Sequence, residues 1–284
     1  MEHSYKNTMS TTQLAATIAK IAGFEAPQQA DPAIDWLADL WIEKLGGKAD
    51  NVLIFSADAV AAWLVRKYPE KFAKVWKYAP MMIPVRTVMP TVTPVDYAAF
   101  FSGALPEVNG VDRIVTPILS PELTQPLLTC DSLVAAAVRA GRKVCVVTCA
   151  NGCIASMLSR SGADFCIVPG DDDAAMFDTA KAVVESGKYD FVFLYQLSYD
   201  YAQHAHGPEG TEALAALDAI IQRFEELYTA AEQCWQGNTL VMFHTDHGCH
   251  LEEDGHGHHG ADIPEDTDIF HFWGGIISDS GGNL

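Results

Sequence analysis

Basic residues are scarce in this chain: 18 Lys and Arg stand against 37 Asp and Glu, giving a formal net charge of −19. A surface that tracks a nucleic-acid backbone needs cations, so a duplex partner is excluded. No stretch approaches the ~20 uninterrupted apolar residues that span a bilayer, and the N-terminus lacks a basic segment followed by an apolar one. The sequence therefore reads as soluble and cytoplasmic, with no membrane partner. Its seven Cys are odd in number and scattered through apparent strands and helices, unlike a disulfide framework. Cys149 and Cys153 lie close in sequence, but no second pair follows, and they read as buried structural thiols. There is no internal repeat, low-complexity tract or Gly/Ser linker, which favours one domain over two.

What is present is ample apolar material, 49% of 284 residues, in an alternating order. Short β-branched or apolar runs recur at Val52 to Phe55, Val144 to Thr148, Phe165 to Val168, Phe191 to Tyr195, Leu240 to His244 and Ile269 to Trp273. Helical patterns lie between them, at Ser132 to Ala140, Ala174 to Ser186 and Thr211 to Trp235. This order predicts an α/β fold, a mostly parallel central sheet sandwiched by helices. Two further helices are predicted at 11 to 22 and 32 to 45, the second with Asp31 as N-cap, Pro32 at its first position and Gly46 and Gly47 at its end. Residues 1–50 thus form a helical extension and 51–284 the main domain. If the protein forms a homo-oligomer, these helices supply its surface.

Ligands gather at the carboxyl ends of parallel strands, so the polar residues after each run matter most. Asp58 follows the first run; Asp200 and His204 follow Phe191 to Tyr195; Asp246 and His247 follow Leu240 to His244. A lone Asp there is ordinarily a cap or turn residue, and a lone His a surface one. Three strand ends delivering Asp, or Asp with His, to one sheet edge make a mixed oxygen and nitrogen set suited to zinc or a similar divalent ion. Residues 244–259 hold six His, and a metal-scavenging loop is the alternative there. Because Asp246-His247-Gly248 follows its strand directly, Asp246 and His247 are assigned a catalytic role.

The segment Met89-Pro90-Thr91-Val92-Thr93-Pro94-Val95-Asp96-Tyr97, continuing to Ser102-Gly103 and Pro106-Glu107-Val108-Asn109-Gly110-Val111, resembles the nucleophile segment of the nucleotide pyrophosphatase/phosphodiesterase branch of the alkaline phosphatase superfamily. Asp58, Asp200-x-x-x-His204 with Gly207-Pro208, Asp246-His247-Gly248, and His259-Gly260 with Pro264-Glu265-Asp266 follow in the family's order. The resemblance runs from about Val52 to Gly275. It implies an alkaline phosphatase-like catalytic domain, Thr93 as nucleophile, and two divalent metal ions, zinc with manganese as the alternative. One ion would be held by Asp200, His204 and His259, the other by Asp58, Asp246, His247 and the Thr93 oxygen. A Thr hydroxyl is a poor nucleophile at its free pKa, and a divalent cation activates it by stabilising the alkoxide. Thr93 also suits an N-cap with Pro94 at the first helical position, which aims N–H groups at a phosphate.

Several positions depart from the family pattern. Asp96 stands where the branch usually has Asn, and a charged carboxylate cannot donate to a phosphoryl oxygen; Asp96 either accepts from a substrate hydroxyl or ammonium group or faces elsewhere. Ala59 stands where Gly commonly follows the first Asp. Arg86 and Arg113 flank the nucleophile segment, but surface or structural ion pairs explain both equally well. His256 and His258 are expected outside the ligand set or exposed, and His206 and His250 at the surface. The resulting expectation is a metal-dependent phosphodiesterase or nucleotide pyrophosphatase acting on a small-molecule phosphate ester. The alternatives are a phosphomonoesterase or phosphonate hydrolase of the same superfamily, or a catalytically idle metal-bound, ligand-binding protein.

Overall fold

The computed structural model describes residues 8–113, 128–277 and 282–283. The strands are β1 (Met9–Ser10), β2 (Asn51–Ala57), β3 (Met81–Arg86), β4 (Val144–Cys149), β5 (Asp164–Val168), β6 (Phe191–Gln196), β7 (Thr239–His244), β8 (His250–Leu251), β9 (Gly257–His258), β10 (Asp268–Ile277) and β11 (Gly282–Asn283). The helices are α1 (Leu14–Ala22), α2 (Asp35–Lys44), α3 (Ala62–Lys67), α4 (Ala73–Tyr78), α5 (Thr93–Ser102), α6 (Pro106–Asn109), α7 (Leu133–Arg139), α8 (Ile154–Met157), α9 (Asp173–Glu185), α10 (Ser198–His206), α11 (Thr211–Cys234) and α12 (Pro264–Thr267).

The main sheet runs β1-β3-β10-β7-β2-β6-β4-β5, with β11 beside β10. Strands β7, β2, β6, β4 and β5 pair in parallel, whereas β10 is antiparallel to both β7 and β3. Every residue of β2, β6 and β7 is buried, which is why these runs are continuously apolar instead of alternating. Helices α4, α9 and α11 pack among themselves and on the sheet, and α1, α5 and α7 form a second group. Phe55, Phe224 and Phe243 stack between sheet and α11 with ring centroids 5.3–5.8 Å apart.

All six expected strands are present, each within a few residues of its sequence run. Strand β3 escaped because Pro84 breaks its pattern; the proline is tolerated because β1 pairs only with Val85 and Arg86, which leaves β3 an edge strand at Pro84 on the side away from β10. The N-terminal segment is more than helical: β1 pairs in parallel with β3, and Trp41 of α2 meets Trp273 of β10 at 6.3 Å. Asp31 does not cap α2, which starts at Asp35 with Ile34 at the N-cap. The chain before it is held by other bonds, Asp31 N–H to the Gly103 carbonyl (2.7 Å), Thr12 Oγ1 to the Asp31 carboxylate, and Ile34 N–H to Thr17 Oγ1 (2.9 Å). No helix among the described residues is long and apolar enough to cross a membrane.

Candidate metal and nucleophile site

Strands β2, β6 and β7 end side by side, and the backbone there is fixed by the ladder, so residues just beyond them share one edge. Asp58 lies one residue past β2, Asp246 and His247 just past β7, and Asp200 in the first turn of α10 after β6. His259 arrives on the loop after β9. The structure gathers Asp58, Asp246 and His247 into one group and Asp200, His204 and His259 into another, each with potential ligand atoms within 4.8 Å of one another. The groups adjoin, with the His247 and His259 rings stacked at 4.1 Å between centroids. Thr93 Oγ1 is 3.3 Å from His247 Nε2 and 3.5 Å from Asp58 Oδ2, and its side chain is partly exposed.

Thr93 is the first residue of α5 and Val92 takes the N-cap, one residue earlier than expected, because the Val92 carbonyl already accepts from Val95 and Asp96. Pro94 follows at the second helical position.

The histidine tautomers are set by the backbone. Nδ1 of His204 meets the Gly257 carbonyl, that of His259 the Thr91 carbonyl and that of His247 the Gly248 carbonyl, at 2.8–2.9 Å. A carbonyl only accepts, so each Nδ1 carries the proton and each Nε2 turns a lone pair inward. His204 Nε2 and His259 Nε2 then face each other at 3.1 Å, with Asp200 Oδ1 at 3.3 and 3.5 Å. In the other group His247 Nε2 faces Asp58 Oδ1 and Asp246 Oδ2 at 3.5 and 3.6 Å, and both oxygens are buried without a hydrogen-bond partner among the described residues. Convergent lone pairs, the ring nitrogens facing carboxylate oxygens and one another, are the arrangement a divalent cation satisfies, so both groups fit a metal.

Electrostatics carry the same strain. Burial, followed by the Asp246 and Asp200 charges, pushes the Asp58 carboxyl well above its usual range. Burial also acts to raise Asp200, but His204 and His259 outweigh it and hold that carboxyl below the ordinary range. Burial lowers His247. Asp200 in turn raises His204, and raises His259 against the effect of burial.

Other residues hold the groups in place. Tyr195 OH donates to Asp58 Oδ2, and Ala59 and His247 N–H donate to Asp246 Oδ1 at 3.2 and 3.0 Å. Buried Asp266 bonds His250 Nδ1 (2.7 Å) and accepts from Ala261 N–H (2.9 Å), while its carbonyl accepts from Gly248 N–H (2.8 Å). That one residue joins the His247 turn to the loop that brings in His259, which gives the Pro264-Glu265-Asp266 signature a physical reason. Gly248 has to be glycine, because a Cβ would lie 2.0 Å from the Glu265 carbonyl oxygen. Tyr195 and Gln203 were missed in the sequence: Tyr195 is the last core residue of an apolar run, and Gln203 sits inside a ligand motif without being a ligand type.

The remaining expectations fall as follows. Asp96 is fully buried, its Oδ1 accepting from Thr87 Oγ1 and Val88 N–H, and its Oδ2 lacks a partner among the described residues. Burial pushes its carboxyl well up. His250 is half-buried in ion pairs with Asp266 and Glu252 and is not a plain surface residue. His206, His256 and His258 are exposed, His256 Nδ1 donating to the His204 carbonyl. Arg86 pairs with Asp262. Cys149 and Cys153 are buried and in neither group.

The sequence matches the family described as type I phosphodiesterase / nucleotide pyrophosphatase over residues 52–278, and the chain belongs to that family. Among solved structures it is similar in fold to phosphonoacetate hydrolase from Sinorhizobium meliloti, seen with phosphonoformate, at TM-score 0.55 and 15% identity, covering 73% of this chain and 59% of that one. It is also similar to murine ectonucleotide pyrophosphatase/phosphodiesterase 5, an inactive form seen with AMP, at TM-score 0.54 and 18% identity, covering 72% and 59%. The aligned region spans about three fifths of those chains. No curated protein matches the sequence.

Proposed function

We propose that this protein hydrolyses a small-molecule phosphodiester with Thr93 as nucleophile, through a covalent phospho-threonine, in a centre that binds two divalent cations, zinc by preference. The observation that carries the proposal is the placement of the partly exposed Thr93 Oγ1 beside His247 Nε2 and Asp58 Oδ2, next to two buried carboxylate oxygens with no donor among the described residues. Bound cations would supply the charge that stabilises the Thr93 alkoxide and the phosphoryl oxygens.

The chain's own residues do the rest. Thr93, held at the start of α5, presents Oγ1 to phosphorus; the bond it forms replaces the ester bond to the departing alcohol, the Thr93 proton goes to solvent, which protonates that alcohol, and water then cleaves the phospho-threonine to release the monoester. The N-terminal, positive end of the α5 dipole lies at Thr93, which favours an anion there. No Lys or Arg bonds to a member of either group among the described residues, which supports a singly charged diester over a monoester dianion. Asp96 has only Oδ2 left to offer a substrate. The complexes of the two similar structures, with a phosphonate and with a nucleoside monophosphate, support phosphorus oxyanions as the ligand class.

The test is a side-by-side rate for a chromogenic diester and the matching monoester on zinc-reconstituted protein, with Thr93→Ala as control. A diester preference abolished in the variant supports the proposal. A monoester preference, or turnover that survives Thr93→Ala, overturns it.

A further inference from the structure

Gln203 is fully buried, an uncommon place for a glutamine, yet its amide is only half satisfied. Nε2 donates to Asp200 Oδ1 at 3.0 Å, while Oε1 is buried with no donor among the described residues. An unpartnered buried acceptor costs about 1–3 kcal/mol, and an apolar side chain of the same length would fill the space without that cost. The amide orientation is settled by its neighbour, since the flipped form would set Oε1 against the Asp200 carboxylate.

The other side of Gln203 faces Gly257 of β9. A Cβ on Gly257 would lie 1.8 Å from Oε1 and 2.5 Å from the Gln203 carbonyl oxygen, so the β8–β9 hairpin is pressed onto α10 at this point. The same glycine accepts from His204 Nδ1, and His259 follows two residues later. Gln203 therefore sits where Asp200 and His204 on the helix meet the strand that leads to His259.

We propose that Gln203 is a positioning residue for the Asp200–His204–His259 centre, a neutral donor that fixes the Asp200 carboxylate and seats the hairpin without neutralising the charge a cation needs. A Lys or Arg at this place would also donate, but its charge would weaken the hold of Asp200 on a cation. Tyr195 OH does the equivalent for Asp58 in the neighbouring group, again as a neutral donor. Outer partners of this kind typically change metal affinity by 10- to 100-fold.

The inference rests on the two groups being metal centres, and the experiment separates the two claims. Zinc binding is titrated against a chromogenic chelator in the wild type, in Gln203→Met, and in Gln203→Leu as a second variant, with the melting temperature of each metal-free protein recorded. The expected result is two ions per wild-type chain, one of them bound roughly 10- to 100-fold more weakly in the variants, with metal-free melting temperatures close to wild type. In an Asp246→Asn background, which cripples the other centre, Gln203→Met should weaken the remaining ion; in a His259→Ala background it should leave the remaining ion unchanged. Unchanged affinity in the variants, or equal loss at both centres, overturns the role of Gln203 while leaving the metal reading intact. A wild type that takes up no zinc overturns both.

Discussion

The Ala59 N–H donates to Asp246 Oδ1 at 3.2 Å, so the residue that follows Asp58 on the β2 end orients the carboxylate on the β7 end. To make that bond Ala59 adopts φ +62°, the left-handed region that side chains other than glycine rarely enter. Ala has no polar side chain to bond locally as Asn and Asp do in that region, and its Cβ costs about 1–2 kcal/mol there relative to glycine. Ala59→Val, β-branched at the same φ, should lose at least ~2 kcal/mol in urea unfolding and lower metal uptake along with it. Stability within ~0.5 kcal/mol of wild type would show that the turn relaxes freely and that the Asp246 contact is incidental.

Thr93→Ala should lower diester turnover by at least ~10³-fold while the bound-metal content stays at the wild-type level, because the hydroxyl is needed for chemistry and most ligands remain. Thr93→Ser keeps the oxygen but loses the methyl that fixes its rotamer, and a partial loss is expected. Metal analysis of both purified variants, alongside the rates, checks this; parallel loss of metal and activity would make Thr93 a structural member of the centre.

Asp58 and Asp246 face each other across a buried gap, so in the metal-free protein they repel. Burial, and then Asp246, raise the folded pKa of the Asp58 carboxyl, so the group costs stability that is lost as pH rises above the unfolded carboxyl value of about 3.9 and regained as pH falls from the folded value back towards it. Asp58→Asn removes that charge. In the metal-free state the variant should be more stable than wild type by about 1–3 kcal/mol at pH 7, and with zinc the order should reverse. Denaturant melts with and without a chelator read both signs, and a destabilised metal-free variant would contradict the repulsion.

Much of this site was legible in the sequence because parallel strands bury both faces and leave their polar residues at one edge; Asp58, Asp200 and Asp246 are each the first acid after an apolar run. The link from Thr93 to those acids needed the family motif, since α5 is brought to the edge by packing that no local pattern announces. What stayed hidden was relational. Asp31 reads as a cap until Thr12 and Gly103 occupy its bonding groups, and β3 is visible only once β10 supplies its partner. The one-residue shift at Thr93 comes from the Val92 carbonyl, and the burial of Asp96 against Thr87 and Val88 depends on a turn the sequence does not mark.

Behind the site lies a second buried polar chain. Ser56 Oγ is 2.6 Å from both Tyr97 OH and His244 Nδ1, and the His244 ring lies 4.4 Å from that of His271, whose Nε2 donates to the Thr245 carbonyl at 2.8 Å. Burial lowers His271 to about 4, from an unfolded value near 6.5, and lowers His244 as well. A histidine depressed in the folded state contributes stability that is intact above pH ~6.5 and is lost as pH falls toward 4, because only the unfolded chain takes the proton. His271→Gln keeps a donor for Thr245 but cannot titrate. Compared with wild type under the same chelated conditions, its unfolding free energy should fall less steeply between pH 6.5 and 5, by roughly 1 kcal/mol per pH unit, with the two slopes converging above pH 7. Parallel profiles across the whole range would mean that His271 titrates alike in both states and that its burial does not govern the acid sensitivity of the fold.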